Sequence, residues 1–289
     1  RDFYHRLTLS KDGYVPRYVS WSKYQMDEIA SIPAEYTATM PKAVQIGGMV
    51  RDETGAGIPS VTLIFSGPSR AGIDPRERDT TMGRYHFEVT DASGRWRCAH
   101  VRPDFETTTF GLEHPEYQRV TYGCEGTKDP SLIGVVRLPD EDFRRGTAAM
   151  KMTRGLQITG LVVEKNGGAI EGAKIARNRE WSNTNLTTTS SPAGAFAIRN
   201  AEPGETMISV QATGFAPATR VLTITNGVAE VRFELDRSLG LRARVVDENG
   251  APVARARVEF AQDQRWRSIY QWSARSDDLG GVSWESSPN

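Results

Sequence analysis

Cysteine, histidine, net charge and long apolar runs are all scarce in this chain, and each scarcity removes a class of protein. Only 2 cysteines occur among 289 residues. That is too few for a disulfide-built scaffold or a four-cysteine zinc site. The 4 histidines, His5, His86, His100 and His114, form no His-Glu-x-x-His pair and no carboxypeptidase-type ligand set, so zinc hydrolysis has no ligands to work with. Lys+Arg and Asp+Glu are both 36, for a net charge of +0, which argues against a nucleic-acid surface or a polybasic membrane tether. No apolar run is long enough to cross a membrane as a helix. Gly-x-Ser-x-Gly elbows, phosphate-cradling loops and dinucleotide fingerprints are missing too. The chain opens on Arg1 with no start Met or leader-like apolar stretch, so it reads as an internal piece of a longer polypeptide.

Repetition is what the chain does have. Val44-Gln45-Ile46-Gly47-Gly48-Met49-Val50-Arg51-Asp52 returns as Leu156-Gln157-Ile158-Thr159-Gly160-Leu161-Val162-Val163-Glu164 and again as Leu239-Gly240-Leu241-Arg242-Ala243-Arg244-Val245-Val246-Asp247. The offsets are constant, 112 and then 83. Apolar residues at alternate positions mark the buried face of a strand. A turn follows in each copy (Asp52-Glu53-Thr54-Gly55, Lys165-Asn166-Gly167-Gly168, Glu248-Asn249-Gly250-Ala251), as expected of hairpins. Return strands keep the same offsets through Ile58, Val61 and Leu63, then Ile170, Ala173 and Ile175, then Val253, Ala256 and Val258. A second Gly-ended turn precedes Trp96, Phe196 and Val282. Farther on, His114-Pro115-Glu116-Tyr117 matches Ala212-Thr213-Gly214-Phe215, and Lys11-Asp12-Gly13-Tyr14 matches both.

Residues 1–43 therefore read as the C-terminal part of a truncated module. Residues 44–155 and 156–238 are whole modules, and residues 239–289 begin a third. The expected fold class is all-β, with tandem antiparallel β-sandwich modules incomplete at both ends. Only residues 24–32 offer a short helical pattern. Gly160-Leu161-Val162-Val163-Glu164, Gly172-Ala173-Lys174-Ile175, Gly194-Ala195-Phe196 and Gly214-Phe215 together resemble the carboxypeptidase regulatory-like domain. The resemblance implies a prealbumin-like sandwich, akin to starch-binding modules, used as a non-catalytic accessory module in exported bacterial proteins. It brings no catalytic residues to this chain. The first whole module departs from the family by an insertion over residues 66–80 and by Arg51.

Candidate chemistry is thin. His86, His100, His114, Cys98 and Cys124 share the first whole module, but scattered turn and surface histidines are the simpler account, and neither metal nor cofactor is expected. Cys98 and Cys124 sit at predicted strand ends and could pair in an oxidising compartment, the alternative being two half-buried thiols. Ser20 and Lys23 satisfy Ser-x-x-Lys without its partner motifs. Asp52, Glu164 and Asp247 organise turns rather than bind calcium. The binding candidates are Trp181, Trp266, Tyr270 and Trp272, whose flat faces suit stacking on sugar rings, the alternative being rings that cap the core. The expected role is spacing, folding support or ligand presentation, with other domains of the longer, exported chain as partners. A carbohydrate-binding array and strand addition at an open sheet edge are the alternatives.

Overall fold

The computed structural model describes residues 4–22, 33–66, 77–79, 87–105, 107–126, 134–177, 186–225, 228–260 and 272–287. Two compact units divide the chain, residues 1–154 and 155–289. The predicted helical stretch 24–32 lies outside the described residues.

The first unit opens with a hairpin, β1 (Tyr4–Leu9) and β2 (Arg17–Ser22), turned at Gly13. Beyond it the first whole module runs β3 (Val44–Arg51), β4 (Thr62–Ser66), β5 (Glu77–Asp79), β6 (Phe87–Val89), β7 (Arg95–Val101), β8 (Thr109–His114), β9 (Tyr117–Cys124), β10 (Val136–Leu138), α1 (Asp140–Arg145) and β11 (Ala148–Lys151). One sheet has the order β10-β9-β8-β4-β6 and the other β11-β3-β7. Their inner faces enclose a core that includes Ile46, Val50, Leu63, Phe65, Trp96, Phe110 and Met150. β5 comes from the insertion and pairs antiparallel with β2, making a third sheet of order β1-β2-β5.

The second module has β12 (Leu156–Glu164), β13 (Lys174–Arg177), β14 (Thr187–Thr189), β15 (Ala195–Ala201), β16 (Gly204–Gln211), β17 (Ala218–Ile224) and β18 (Val228–Leu235). Sheets β15-β12-β18 and β14-β13-β16-β17 close over Ile158, Val162, Ile175, Ile208, Val210 and Phe233. The third copy adds β19 (Leu241–Arg244), β20 (Arg257–Glu259), β21 (Ser273–Arg275) and β22 (Gly281–Trp284), paired β19-β22 and β20-β21.

The fold is an all-β series of sandwich modules, with one refinement. The strand that closes each whole module returns parallel to the strand that opens it, β11 beside β3 and β18 beside β12. Residues 35–40, whose alternation matches β11 and β18, form no ladder here. They lie on the β1–β2 hairpin instead, where the Arg17 guanidinium donates to the Thr39 carbonyl at 2.6 Å and Tyr36 meets Trp21 edge-on at 5.4 Å.

One position shows how the repeat is enforced. Gly94, Gly194 and Gly280 hold φ of 78°, 76° and 75°, a region that glycine enters without steric cost. A Cβ on any of them would run into the carbonyl oxygen of Val50, Val162 or Val245. That close approach lets each glycine carbonyl accept the N–H of the same valine at 2.8 Å. α1 is not among the elements expected from sequence, although its acidic first turn, basic last turn and closing Gly146 are helix-end signals. It is a single acidic-led turn after Pro139 that delivers the fully buried Phe143 to the core.

Candidate functional site

Of the four aromatic candidates, Trp181, Trp266 and Tyr270 lie outside the described residues. Trp272 is half-buried, its ring stacked on Trp284 with centroids 5.1 Å apart and planes at 20°. Trp284 is buried and also meets Phe260 at 5.0 Å. Trp272 stands four residues before the buried Ser276, just as the buried Leu186 stands four before Ser190. Its contacts are those of a ring covering a core, not of an open stacking platform.

Cys98 and Cys124 are free thiols and both are buried, so the pairing considered from sequence is not formed. Cys98 lies on β7 in one sheet and Cys124 on β9 in the other, where the Cys124 thiol points at the Phe105 carbonyl at 3.8 Å. Burial pushes the Cys98 thiol up to about 12. A folded-state value above the unfolded one makes the neutral thiol the favoured native form. Its contribution to stability is therefore constant below pH 9 and is lost between about pH 9 and 12, as the unfolded chain ionises first. Cys98 should stay unreactive toward a thiol reagent at pH 8 until the first unit is unfolded. Full labelling of the native protein at that pH would contradict this placement.

His5 is exposed, His100 is half-buried and His86 lies outside the described residues. His114 accepts the Glu116 N–H through Nδ1 at 3.1 Å, and burial holds its pKa below the ordinary range. Among the described residues no group of three His, Cys, Asp or Glu side chains could hold a metal ion.

Polar side chains that recur are engaged within the fold. Thr90, Ser190 and Ser276 are buried at equivalent places. Each hydroxyl accepts one strand N–H and donates to a carbonyl: Val61 and Ile58 for Thr90, Ala173 and Ile170 for Ser190, Ala256 and Val253 for Ser276, all between 2.6 and 2.9 Å. Asp52, Asp91, Asp247 and Asp277 each accept two backbone N–H groups of their own turn. The Thr54 hydroxyl holds Asp52, and the Ser93 hydroxyl Asp91, below the usual carboxylate range. An open depression lined by Glu164, Lys165, Asn166, Leu235, Asp236 and Arg237 has its charges already matched, with Arg237 on Glu164 at 2.7 Å and Lys165 on Asp236 at 3.2 Å.

One of several buried polar atoms without a hydrogen-bond partner among the described residues belongs to an arginine that no motif in the sequence marks. Arg177, at the end of β13, shares the inward side of its strand with Ile175 and is 4% exposed. Its Nε has no hydrogen-bond partner.

Residues 157–236 match the carboxypeptidase regulatory-like domain. The matched stretch runs from the second residue of β12 to the residue after β18, one whole module of this regulatory-like fold. No curated protein matches the chain. Among solved structures, the Bacillus anthracis TIE protein is 8% identical with a TM-score of 0.26, covering 96% of this chain and 50% of its own. The chain thus spans half the length of that protein. A Streptococcal ancillary pilin is 12% identical with a TM-score of 0.29, covering 78% and 76%. The shaft pilin SpaA from Lactobacillus rhamnosus GG is 9% identical with a TM-score of 0.26, covering 68% and 98%. Superpositions this loose set no function for the chain. Among the described residues no helix is long and apolar enough to cross a membrane.

Proposed function

We propose that this chain is a non-catalytic array of regulatory-like β-sandwich modules within a larger exported bacterial protein, acting in spacing, folding support or ligand presentation. The observation that carries the reading is the use of its recurring polar groups. Thr90, Ser190, Ser276 and the four turn aspartates spend their hydrogen bonds on their own module. A catalytic group needs acceptor or donor capacity left over for a substrate. The three hydroxyls are buried and each aspartate's Oδ1 is committed to its own turn, so these positions stabilise a module.

Strand addition is the second reading, favoured by β19. β3 and β12 are flanked on both sides, whereas β19 pairs only with β22 among the described residues, and its Leu241 is 47% exposed. In the two whole modules that side is taken by the module's own closing strand, so the edge fits a strand supplied in the same parallel sense.

A binding screen of the chain against a broad glycan array and a panel of strand-forming peptides, read with Trp fluorescence, separates the possibilities. The expected result is no binding to either. Glycan binding with quenching lost in Trp181→Ala or Trp266→Ala would replace the spacer reading with carbohydrate binding. Peptide capture lost in Leu241→Pro would replace it with strand addition.

A further inference from the structure

At the offsets that superpose the three copies, Arg177 occupies the place of Phe65 and Phe260. In the first module this place is filled by rings. Phe65 meets Phe110 at 5.1 Å and Trp96 at 5.9 Å, and Phe143 of α1 stacks on Phe110 at 4.8 Å. In the second module the pairing partner of Arg177 is Ile208, where Phe65 has Phe110. Trp96 is replaced by Phe196, and no helix lies between β17 and β18 among the described residues. A cluster of large rings has thus given way to smaller apolar side chains around one guanidinium.

Topology gives that guanidinium polar company. β13 and β15 both start beside the Ser191–Gly194 turn, so their far ends, carrying Arg177 and Asn200, lie at the opposite end of the sandwich. β16 starts from that same far end, with Thr206 on its inner side. Asn200 and Thr206 are both buried and alternate in phase with the inward residues of their strands. Glu202, in the β15–β16 turn, is exposed, and its negative charge offsets part of the burial cost of Arg177. Burial dominates and holds the guanidinium below its usual proton affinity.

A buried charge is tolerated when it is paired and hydrogen-bonded and is otherwise costly. We propose that the end of the second module built by Arg177, Asn200 and Thr206 is a binding site for the carboxylate group of a small ligand, with Arg177 as its anchor. A guanidinium presents a planar fork that matches a carboxylate with two parallel hydrogen bonds. The nearby negative charge of Glu202 disfavours a dianionic phosphate at the same place. The site goes beyond the spacer role and does not depend on it.

Acetate and glucuronate are the probes, with sodium chloride at matched ionic strength and glucose as controls. Thermal unfolding and hydrogen exchange at the β13 and β16 amides of the full chain are the readouts. Wild type should show a saturable rise in Tm and in β13/β16 protection with both carboxylates and with neither control, as linkage requires of a ligand bound only by the folded state. Arg177→Met should abolish the response while being at least as stable as wild type without ligand. Arg177→Lys, keeping the charge but losing the fork, should weaken binding at least tenfold. An equal response in wild type and Arg177→Met would overturn the site. So would an Arg177→Met protein clearly less stable than wild type with no carboxylate added, since the guanidinium would then already have a counter-charge inside the chain. Should Arg177→Met not fold, Arg177→Lys decides on the exchange readout alone, and unchanged affinity there overturns the proposal.

Discussion

Phe110→Ala should lower the stability of the first unit by about 3–5 kcal/mol, the range for emptying a fully buried aromatic site. Phe110 stands at the centre of the ring cluster, edge-on to Phe65 at 5.1 Å, tilted to Trp96 at 5.8 Å and stacked on Phe143 at 4.8 Å. It joins β8 to α1, so the cavity opens beside Phe143, which is left with its contacts to Trp96 and Phe105 at 6.5 and 6.3 Å. Two rigid sheets flank it and limit collapse, which puts the loss toward the upper end of the range. Urea unfolding of the 289-residue chain, followed by near-ultraviolet dichroism, would show the first unit's transition moving to lower urea while that of the second stays. A loss under about 1 kcal/mol would mean the ring cluster is not the keystone of that core.

Ser190→Ala should cost the second module about 2–4 kcal/mol. The hydroxyl is small and adds little burial, so the loss comes from the two groups it serves. Ala173 N–H and Ile170 C=O lie 2.9 and 2.7 Å from it, and Ser190 is only 5% exposed. Stranding a buried donor and a buried acceptor costs roughly 1–3 kcal/mol each. Ser190→Thr should be nearly neutral, because Thr90 makes the same pair of bonds in the first module. Chemical denaturation of the two variants side by side tests this. An Ala variant within about 0.5 kcal/mol of wild type would show that water replaces the hydroxyl at both groups.

How much of this was legible follows from the range of the interactions. The opening hairpins could be read because alternation and turn residues act over a few positions, and each pair of copies keeps its own constant offset, 112 and 83, through Leu63, Ile175 and Val258. The hydroxyl clips were missed because their spacing changes. Thr90 to Ser190 is 100 residues and Ser190 to Ser276 is 86, since the loop before each differs in length. Parallel return of β11 and β18 could not be read, as it depends on where a strand lands after a long crossing. α1 spans six residues, too few to show a 3.6-residue period. Arg177 was in plain view at the Phe65 offset. An apolar residue is expected there from Phe65 and Phe260, and a guanidinium stands in its place. The aromatic candidates rest on ring type and on a place in or beside the loop after the second strand, and the stacking of Trp272 on Trp284 shows that these two signals do not separate a platform from a core cover.

The parallel pairing of first and last strands has a mechanical consequence. In the second module β12 enters at one end of its sheet and β18 leaves at the other, side by side over eight residue pairs from Gln157–Val228 to Glu164–Leu235. Tension applied through the two ends of the module pulls these strands along each other, so their hydrogen bonds are loaded together in shear instead of being peeled one at a time. β3 and β11 have the same geometry over only four pairs, from Ala148–Gly48 to Lys151–Arg51. A stretched chain would therefore give way at the shorter seam first, extending the first module while the second still bears load.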